Sequence, residues 1–377
     1  MNATPSRPRN DATTPRRLAA LSLGATLAAA TVAAQPVAAH EADPSFSVPA
    51  PAYDLAAVPN GDLLVTTGSD LVRIDPDTGT TSEFGGVPHL EGTAVQGVAP
   101  VGTGTSFVAR GALDLAEGAG VWRVGPGGAR LVGDIETFER THDPDGAVWK
   151  DPRCEDYGGF SEGPQSNPYK LARLSGGEVA LADAAGNTVL SVRANGRVET
   201  MAVLTPPLDE HGEPRVLFSL ADGTPCYVQP VATAVTLGPD GALYVGELTG
   251  EVSQDPALML QSGLSRVWRL EADARDVQCP SAECTLVLEG MTSVVDLDFS
   301  PEGDLMVTEL DEAGWLAMLV GAAEGGAVHR CDVAAGTCTV AADGLTMPNA
   351  LAYDRDGQAW LLDKILFDPR VRAIDLG

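Results

Sequence analysis

The sequence is poor in lysine and in aromatic residues. Only three of its 377 residues are lysine (Lys150, Lys170 and Lys364), and aromatic residues make up 5%. Acidic residues number 52 against 24 lysines and arginines, which gives a net charge of −28 at pH 7. Because nucleic acid and anionic membrane surfaces repel such a chain, we expect neither as a partner.

The usual zinc motifs are also lacking. None of the six cysteines forms a C-x-x-C pair, and the five histidines are scattered without an H-E-x-x-H arrangement. Two cysteine pairs flank short turns, and the remaining two cysteines are left for each other. We therefore predict the disulfides Cys154–Cys226, Cys279–Cys284 and Cys331–Cys338.

Long apolar runs are absent after the N-terminal segment. That segment carries Arg7, Arg9, Arg16 and Arg17, followed by the run "LAALSLGATLAAATVAA" and by small residues before His40. This composition predicts an export signal over residues 1–39. The adjacent Arg16 and Arg17 fit twin-arginine export, and an ordinary Sec leader fits nearly as well. We expect a secreted or extracytoplasmic protein with no membrane span in the mature chain.

Turn residues, in contrast, are abundant. The chain has 42 glycines and 27 prolines, which favour short strands over long helices. One unit recurs six times: a strand, a glycine turn and a second strand, as in "VTLGPDGALYVGE", followed by a third strand such as "VWRLEADAR". The equivalent turn glycines are Gly61, Gly104, Gly177, Gly241, Gly303 and Gly357. Six such units predict an all-β fold, a six-bladed β-propeller in a single domain.

The propeller is predicted over residues 45–377. Its blades are expected near residues 53–85, 94–138, 167–204, 232–290, 291–344 and 346–377. The last unit ends one strand short of a full blade. We predict that "FSVPA", near residue 46, supplies the missing outer strand and closes the ring, because closure protects the sheet edges.

A polar residue recurs at the end of the second strand of each unit. Six residues past the turn glycines stand Thr67, Arg110, Asp183, Glu247, Glu309 and Asp363. Because neighbouring strands are antiparallel, these ends lie on the rim opposite the glycine turns, and Asn167 and Asn349 belong to the same rim. The residues predicted to bind a ligand at this rim of the channel are Arg110, Asn167, Asp183, Glu247, Glu309, Asn349 and Asp363.

Four of these residues are candidate metal ligands. Asp183, Glu247, Glu309 and Asp363 offer oxygen donors, which suit a hard divalent cation such as calcium. The competing interpretation is that each acid accepts hydrogen bonds within its own blade and meets no ligand. The apolar insertions that follow Glu247 and Glu309 either form a partner surface or pack on their own blades.

Several longer segments match one known family. They are "SNPYKLARL", "ADAAGNTVLSV", "ATAVTLGPDGALYVGELTG", "SRVWRL", "VVDLDFSPEGDLMVTEL" and "LTMPNALAYDRDG", which extend over most of residues 53–363. In these segments the chain resembles the ScyD/ScyE family of exported propeller proteins. The resemblance implies a six-bladed propeller, TolB-like or NHL-like, and brings no settled chemistry with it.

The expected function is binding rather than catalysis. We expect an exported binding or accessory protein of the ScyD/ScyE type, a monomer whose ligand is a small molecule or an extracellular protein. A metal-dependent hydrolase or lactonase of the gluconolactonase-like propeller class is one alternative, since it too uses carboxylate and asparagine ligands in a propeller channel. A protein-interaction platform is the other.

Overall fold

The computed structural model describes residues 44–112, 118–154, 164–250, 260 and 262–377. The predicted export signal and most of the insertion after Glu247 lie outside these residues. In the part that is described, no helix is long and apolar enough to cross a membrane.

The described strands form the six four-stranded units that the repeats predict. The chain begins with β1 (Ser45–Ser47). Blade 1 contains β2 (Leu55–Ala57), β3 (Leu63–Thr67), β4 (Asp70–Asp75) and β5 (Thr80–Gly86). Blade 2 contains β6 (Thr93–Pro100), β7 (Ser106–Ala112), β8 (Gly120–Gly125) and β9 (Gly128–Asp134). Blade 3 contains β10 (Pro168–Arg173), β11 (Glu178–Asp183), β12 (Thr188–Arg193) and β13 (Val198–Val203).

The second half of the ring continues the same order. A separate hairpin precedes blade 4 and consists of β14 (Val216–Ser219) and β15 (Pro225–Tyr227). Blade 4 contains β16 (Ala232–Leu237), β17 (Leu243–Glu247), β18 (Ser265–Leu270) and β20 (Cys284–Met291), and β19 (Val277–Gln278) pairs instead with β13. Blade 5 contains β21 (Val294–Phe299), β22 (Leu305–Glu309), β23 (Gly326–Asp332) and β24 (Thr337–Leu345). Blade 6 contains β25 (Ala350–Tyr353), β26 (Ala359–Asp363) and β27 (Arg370–Ile374), with β1 as its outer strand.

The predicted closure of the ring is confirmed. Strand β1 pairs antiparallel with β27, and Ser45 lies opposite Arg372. The first strands of successive blades lie beside one another, and β25 of blade 6 lies beside β2 of blade 1. These six first strands therefore surround a central channel. The fold is the six-bladed all-β propeller that the repeats predict.

One hydrogen bond defines the repeat in all six blades. The residue three positions before each turn glycine donates its amide to the carbonyl of the residue that follows the glycine, as Gly238 does to Ala242 at 2.8 Å. Five of the six turn glycines have positive φ, which explains the preference for glycine. Blade 2 differs, because its positive φ is at Gly102 rather than Gly104, although the same bond, from Val101 to Thr105, closes its turn.

The hydrophobic core lies between the blades. In the described residues it divides into six clusters, and each cluster joins two neighbouring blades, including blades 6 and 1. The second strands are therefore apolar on both faces, and β3, β17, β22 and β26 are buried along their whole length. Each blade is stabilised by both of its neighbours.

All three predicted disulfides are present. Cys331 and Cys338 are cross-strand partners on β23 and β24. The Cys279–Cys284 disulfide follows β19, where blade 4 extends to pair with blade 3. The Cys154–Cys226 disulfide joins the segment between blades 2 and 3 to the hairpin of β14 and β15.

Short helical segments occur in the connections between strands, including the glycine turn of blade 3. Helix α1 (Ile135–His142) follows β9, and 3-10 turns occur at Pro152–Cys154, Ser175–Gly177 and Ala317–Val320. The side chain of Asp134 caps α1 by accepting a hydrogen bond from the Thr137 amide at 3.0 Å. Asp143, the residue after the helix, has left-handed backbone angles.

Candidate functional site in the central channel

The channel is crossed by a buried ion network that the sequence interpretation overlooked. Lys170, on the first strand of blade 3, directs its ammonium group to Asp54 of blade 1 and, at 3.4 Å, to Asp296 of blade 5. It also donates to the carbonyl oxygens of Tyr53 and Asn349, at 3.3 and 3.1 Å. One lysine therefore links four first-strand segments across the axis.

The two aspartates extend this network to the first strand of blade 2 and add a second contact to blade 6. Asp54 accepts a hydrogen bond from the Val98 amide of blade 2 at 2.7 Å, and Asp296 accepts one from the Leu351 amide of blade 6 at 2.7 Å. Lys170, Asp54 and Asp296 are all nearly inaccessible to solvent. Because buried charges are costly unless they are paired and hydrogen-bonded, the network fixes the relative positions of the blades.

A repeating register underlies the network. Seven residues before the turn glycines stand Asp54, Gly97, Lys170, Ala234, Asp296 and Ala350, so charged and small residues alternate around the ring. The small residues leave room for the long ones. At Gly97 a Cβ would lie 2.2 Å from the Tyr169 carbonyl oxygen, so only glycine permits this approach of β6 to β10.

A second polar contact closes the channel next to the ion network. The Tyr169 hydroxyl donates to the Asn349 side-chain oxygen at 3.0 Å, and the Asn349 amide group donates to the Tyr53 carbonyl. Tyr169 and Asn349 come from opposite blades and therefore meet across the channel. Burial raises the pKa of Tyr169, so its hydroxyl remains a donor at neutral pH.

A cavity of about 290 Å³ remains on the side of the glycine turns. Its polar lining consists of Asp54, Lys170, Thr236, Asp296, Asp298 and Tyr353, and aliphatic side chains of the first strands complete it. Burial raises the pKa of Asp296 to about 7 against the opposing effect of Lys170. Burial and the nearby Asp296 charge also raise the pKa of Asp298 to about 7. The cavity carries excess negative charge above neutral pH.

The predicted acidic residues lie at the predicted strand ends but are not brought together. Glu247 is fully buried and accepts hydrogen bonds from Arg266 at 2.7 and 2.9 Å and from the Trp268 indole at 2.7 Å. Glu309 accepts from the Thr292 amide at 2.6 Å and pairs with His329 at 3.1 Å. These partners lie on the third strands of blades 4 and 5 and in the loop between the two blades.

The other predicted rim residues also bind locally. Asp183 accepts hydrogen bonds from the Ser166 hydroxyl at 2.6 Å and the Asn167 amide at 2.7 Å. Asp363 pairs with Arg372 of the adjacent third strand at 2.9 Å. These contacts match the interpretation in which each acid braces its own blade, and they give no support to a shared cation site of the four carboxylates.

Arg110 likewise braces nearby loops, one within its own blade and one between blades 1 and 2. It donates to the carbonyl oxygens of Gly118 at 2.7 Å and Pro88 at 3.1 Å, and its guanidinium group lies over the Trp122 ring at 4.8 Å. Burial lowers the pKa of Arg110. Of the predicted site residues, Asn349 is the one whose contacts cross the channel.

Two other groups have the composition of a metal site in the described part of the chain. Glu309 and His329 form one with Glu312, and the second consists of Glu139, Asp143 and Asp145 beside helix α1. The second group lies outside the channel and was not predicted.

The apolar insertion after Glu309 is partly buried. Leu316 and Ala317 are buried, whereas Met318 and Val320 are partly exposed. On the same rim, in blade 6, Phe367 is 76% exposed. This rim therefore carries exposed apolar side chains around a closed channel.

Comparison with known proteins supports the fold. No family model matches the chain, and no curated protein sequence matches it. Among solved structures, a glucose dehydrogenase shares 14% identity with a TM-score of 0.50, over 88% of this chain and 98% of that one. A putative oxidoreductase (glucose dehydrogenase) from Thermus thermophilus shares 13% at a TM-score of 0.49, over 88% and 99% of the two chains. Virginiamycin B lyase from Staphylococcus aureus shares 12% at 0.47, over 88% and 99%.

At such low identity the likeness concerns the fold alone. The glucose dehydrogenase with the TM-score of 0.50 agrees in fold with the strand order described above. The ScyD/ScyE resemblance stays a prediction.

Proposed function

We propose that the protein is an extracytoplasmic binding protein of the ScyD/ScyE type, and that its ligand is a small cationic molecule held in the channel cavity. The observation that carries this proposal is the acidic cavity beside the Lys170 network. Its volume of about 290 Å³ lies at the lower end of the range for ligand pockets, which favours a small ligand. Three disulfides fit the extracytoplasmic part of the proposal.

Charge indicates the class of ligand. Three carboxylates, those of Asp54, Asp296 and Asp298, line the cavity together with one ammonium group, so a protonated amine or several hydrogen-bond donors would complement it. Asp298 is the residue best placed to meet a ligand, because it is partly exposed and makes no contact with Lys170 among the described interactions. The Thr236 side chain and the aliphatic walls would complete the contact surface.

The hydrolase alternative lacks a comparable observation. The described residues that line the cavity include no histidine, cysteine or serine, so neither a Ser–His nor a Cys–His pair is formed there. Neither of the two groups with metal-site composition lies in the channel lining. Binding therefore accounts for the cavity better than hydrolysis does.

A protein-interaction platform is the second candidate. The exposed Phe367 and the partly exposed Met318 on the rim where the channel is closed favour it. If this rim binds protein, Phe367→Ser should weaken that association and leave binding in the cavity unchanged.

Calorimetric titration with putrescine and agmatine tests the cavity proposal, with 1,4-butanediol as the uncharged control ligand. We expect the amines to bind and Asp298→Asn to weaken them about tenfold or more, since a charge-assisted contact is lost. Glu302→Gln is the control variant. It changes an exposed acid at the glycine turn of blade 5 and should leave amine binding unchanged. Equal amine binding by the parent and Asp298→Asn would contradict the proposal.

A further inference from the structure

The segment between blades 2 and 3 carries a polar cluster that the channel does not use. Helix α1 is followed by the turn "DPDG" at residues 143–146. The segment is anchored to blade 3, because the Trp149 indole donates to the Leu204 carbonyl at 2.9 Å. The Cys154–Cys226 disulfide anchors its far end.

Three carboxylates converge where the helix meets this turn. One oxygen from each of Glu139, Asp143 and Asp145 lies within 4.8 Å of the other two. Calcium binds oxygen ligands at about 2.3–2.6 Å, so ligands on opposite sides of one ion are separated by about 5 Å. The three side chains are therefore close enough to share one calcium ion.

The Glu139 carboxylate is the feature that points to a ligand. The residue is 1% exposed, and within the described part of the chain neither of its two oxygens has a hydrogen-bond partner. Its neighbours do have partners: Asp145 accepts from Asn187 at 2.8 Å and pairs with Lys150 at 3.3 Å, and Asp143 accepts from the Gly146 amide at 3.2 Å. A buried carboxylate without a partner is costly, and a bound cation would supply the counter-charge that the described residues do not.

Most of the charged groups around Glu139 are also negative. The buried Asp183 carboxylate also lies near Glu139, and among the described residues Lys150 is the cation facing the group. Four carboxylates therefore share one ammonium. A bound divalent cation would remove most of the excess negative charge.

We propose that Glu139, Asp143 and Asp145 bind a divalent cation, calcium in the first instance, which joins helix α1 to the turn that anchors it on blade 3. Carboxylate ligands alone, without histidine or cysteine, favour a hard cation. Asp143 directly follows helix α1 and has left-handed backbone angles, so it is the residue at which the helix passes into the turn. This site is separate from the cavity, and the proposal does not depend on the proposed function.

Urea unfolding of the metal-stripped full chain tests the proposal, with calcium or magnesium added at matched ionic strength. We expect calcium to raise the unfolding midpoint, and at a hundredfold its dissociation constant to raise the folding equilibrium constant about 100-fold. Glu139→Gln should abolish the calcium response. It should also leave the metal-free chain at least as stable as the parent, because a neutral amide removes like-charge repulsion.

Two further variants keep the test decisive. Asp143→Asn retains a residue that tolerates left-handed angles, so it should fold and lose at least about tenfold in calcium affinity even if Glu139→Gln does not fold. Glu136→Gln, on the same helix and outside the cluster, should keep the parent's calcium response. The proposal is overturned if calcium up to about 10 mM leaves the parent's midpoint unmoved, or if Asp143→Asn responds as the parent does.

Discussion

Replacing Lys170 by methionine should show whether the ion network holds the channel together. The substitution keeps an unbranched side chain but removes the ammonium group, so the Asp54 and Asp296 carboxylates lose their shared counter-charge. At an effective dielectric constant of about 20, each close pair is worth about 4–5 kcal/mol, which the desolvation of the lysine partly offsets. Removing one partner of a buried pair typically costs about 3–5 kcal/mol, and we expect a loss of that size at about pH 8.5.

The loss should depend on pH, and its sign follows from Asp296. Burial raises the folded-state pKa of Asp296 to about 7, above its unfolded value, so the folded state holds the extra proton between the two values. Rising pH removes that proton and destabilises the parent through this window. Without Lys170 the ionised form of Asp296 is even less favourable than in the parent. The stability cost of the substitution should therefore fall to about half near pH 5.5, where Asp296 is protonated.

Urea unfolding at the two pH values measures this effect. Lys364→Met is the matched control, because Lys364 is exposed and should change stability by less than about 0.5 kcal/mol at either pH. Equal m-values would show that the variants unfold to the same extent. The reasoning is refuted if Lys170→Met costs no more than Lys364→Met at about pH 8.5, or if its cost grows as the pH falls.

Three further predictions concern the strand ends and the disulfides. Glu247→Gln should cost about 3–5 kcal/mol in urea unfolding, since it leaves a buried arginine without its counter-charge. The hydrogen bond from His329 to Glu309 raises the pKa of His329, so this histidine stabilises the fold at low pH and less as the pH rises through that raised value. Glu309→Gln should lower the pKa of His329 in an NMR titration. Removal of the Cys154–Cys226 disulfide, which spans 72 residues, should cost about 4 kcal/mol.

Each of these predictions has a matched control or an opposing result. Glu210→Gln is the control for Glu247→Gln. It changes a highly exposed acid and should leave the free energy of unfolding within about 0.5 kcal/mol of the parent's. A His329 titration that Glu309→Gln leaves unchanged would contradict the pairing. The Cys279–Cys284 disulfide spans only 5 residues, so its removal should cost about 2 kcal/mol. A greater cost there than at Cys154–Cys226 would contradict the loop-length argument.

The sequence predicted the fold well because the repeat is local. Each turn glycine marks a hairpin, and the same amide-to-carbonyl bond closes all six turns, including the irregular one at Gly104. The closing strand at Phe46 was predictable because the last repeat lacked an outer strand, and a propeller needs every edge paired or protected. The disulfides followed because two of the pairs flank short turns.

The site was harder to predict because only first strands face the channel. Glu247 and Asp363 end second strands, so their side chains meet third-strand partners rather than one another. The first strands also carry β-bulges close to Lys170 and Asp296, and a bulge changes which residues face the axis. A comparison of the residues seven positions before each turn glycine would have shown that Asp54, Lys170 and Asp296 alternate with small residues.

The cluster at Glu139 could not be found from the repeats. It lies in a segment that occurs once, between blades 2 and 3, so no second copy reveals its register. The "DPDG" turn after the helix was the available signal. The partnerless carboxylate that decides the inference is visible only once the helix is packed against blade 3.

Because β1 is the outer strand of blade 6, the chain could be circularly permuted without any change in its strand contacts. The Pro44 carbonyl accepts a hydrogen bond from Ala373 at 2.9 Å, and Pro44 and Gly377 line the same surface cavity. A short glycine-rich linker could therefore connect residue 377 to residue 44, and new ends could be opened at a glycine turn such as the one at Gly241. In such a circular permutant β1 and β27 would become sequence neighbours. Their pairing, now the most distant along the chain, would form as a local hairpin and should speed ring closure during refolding.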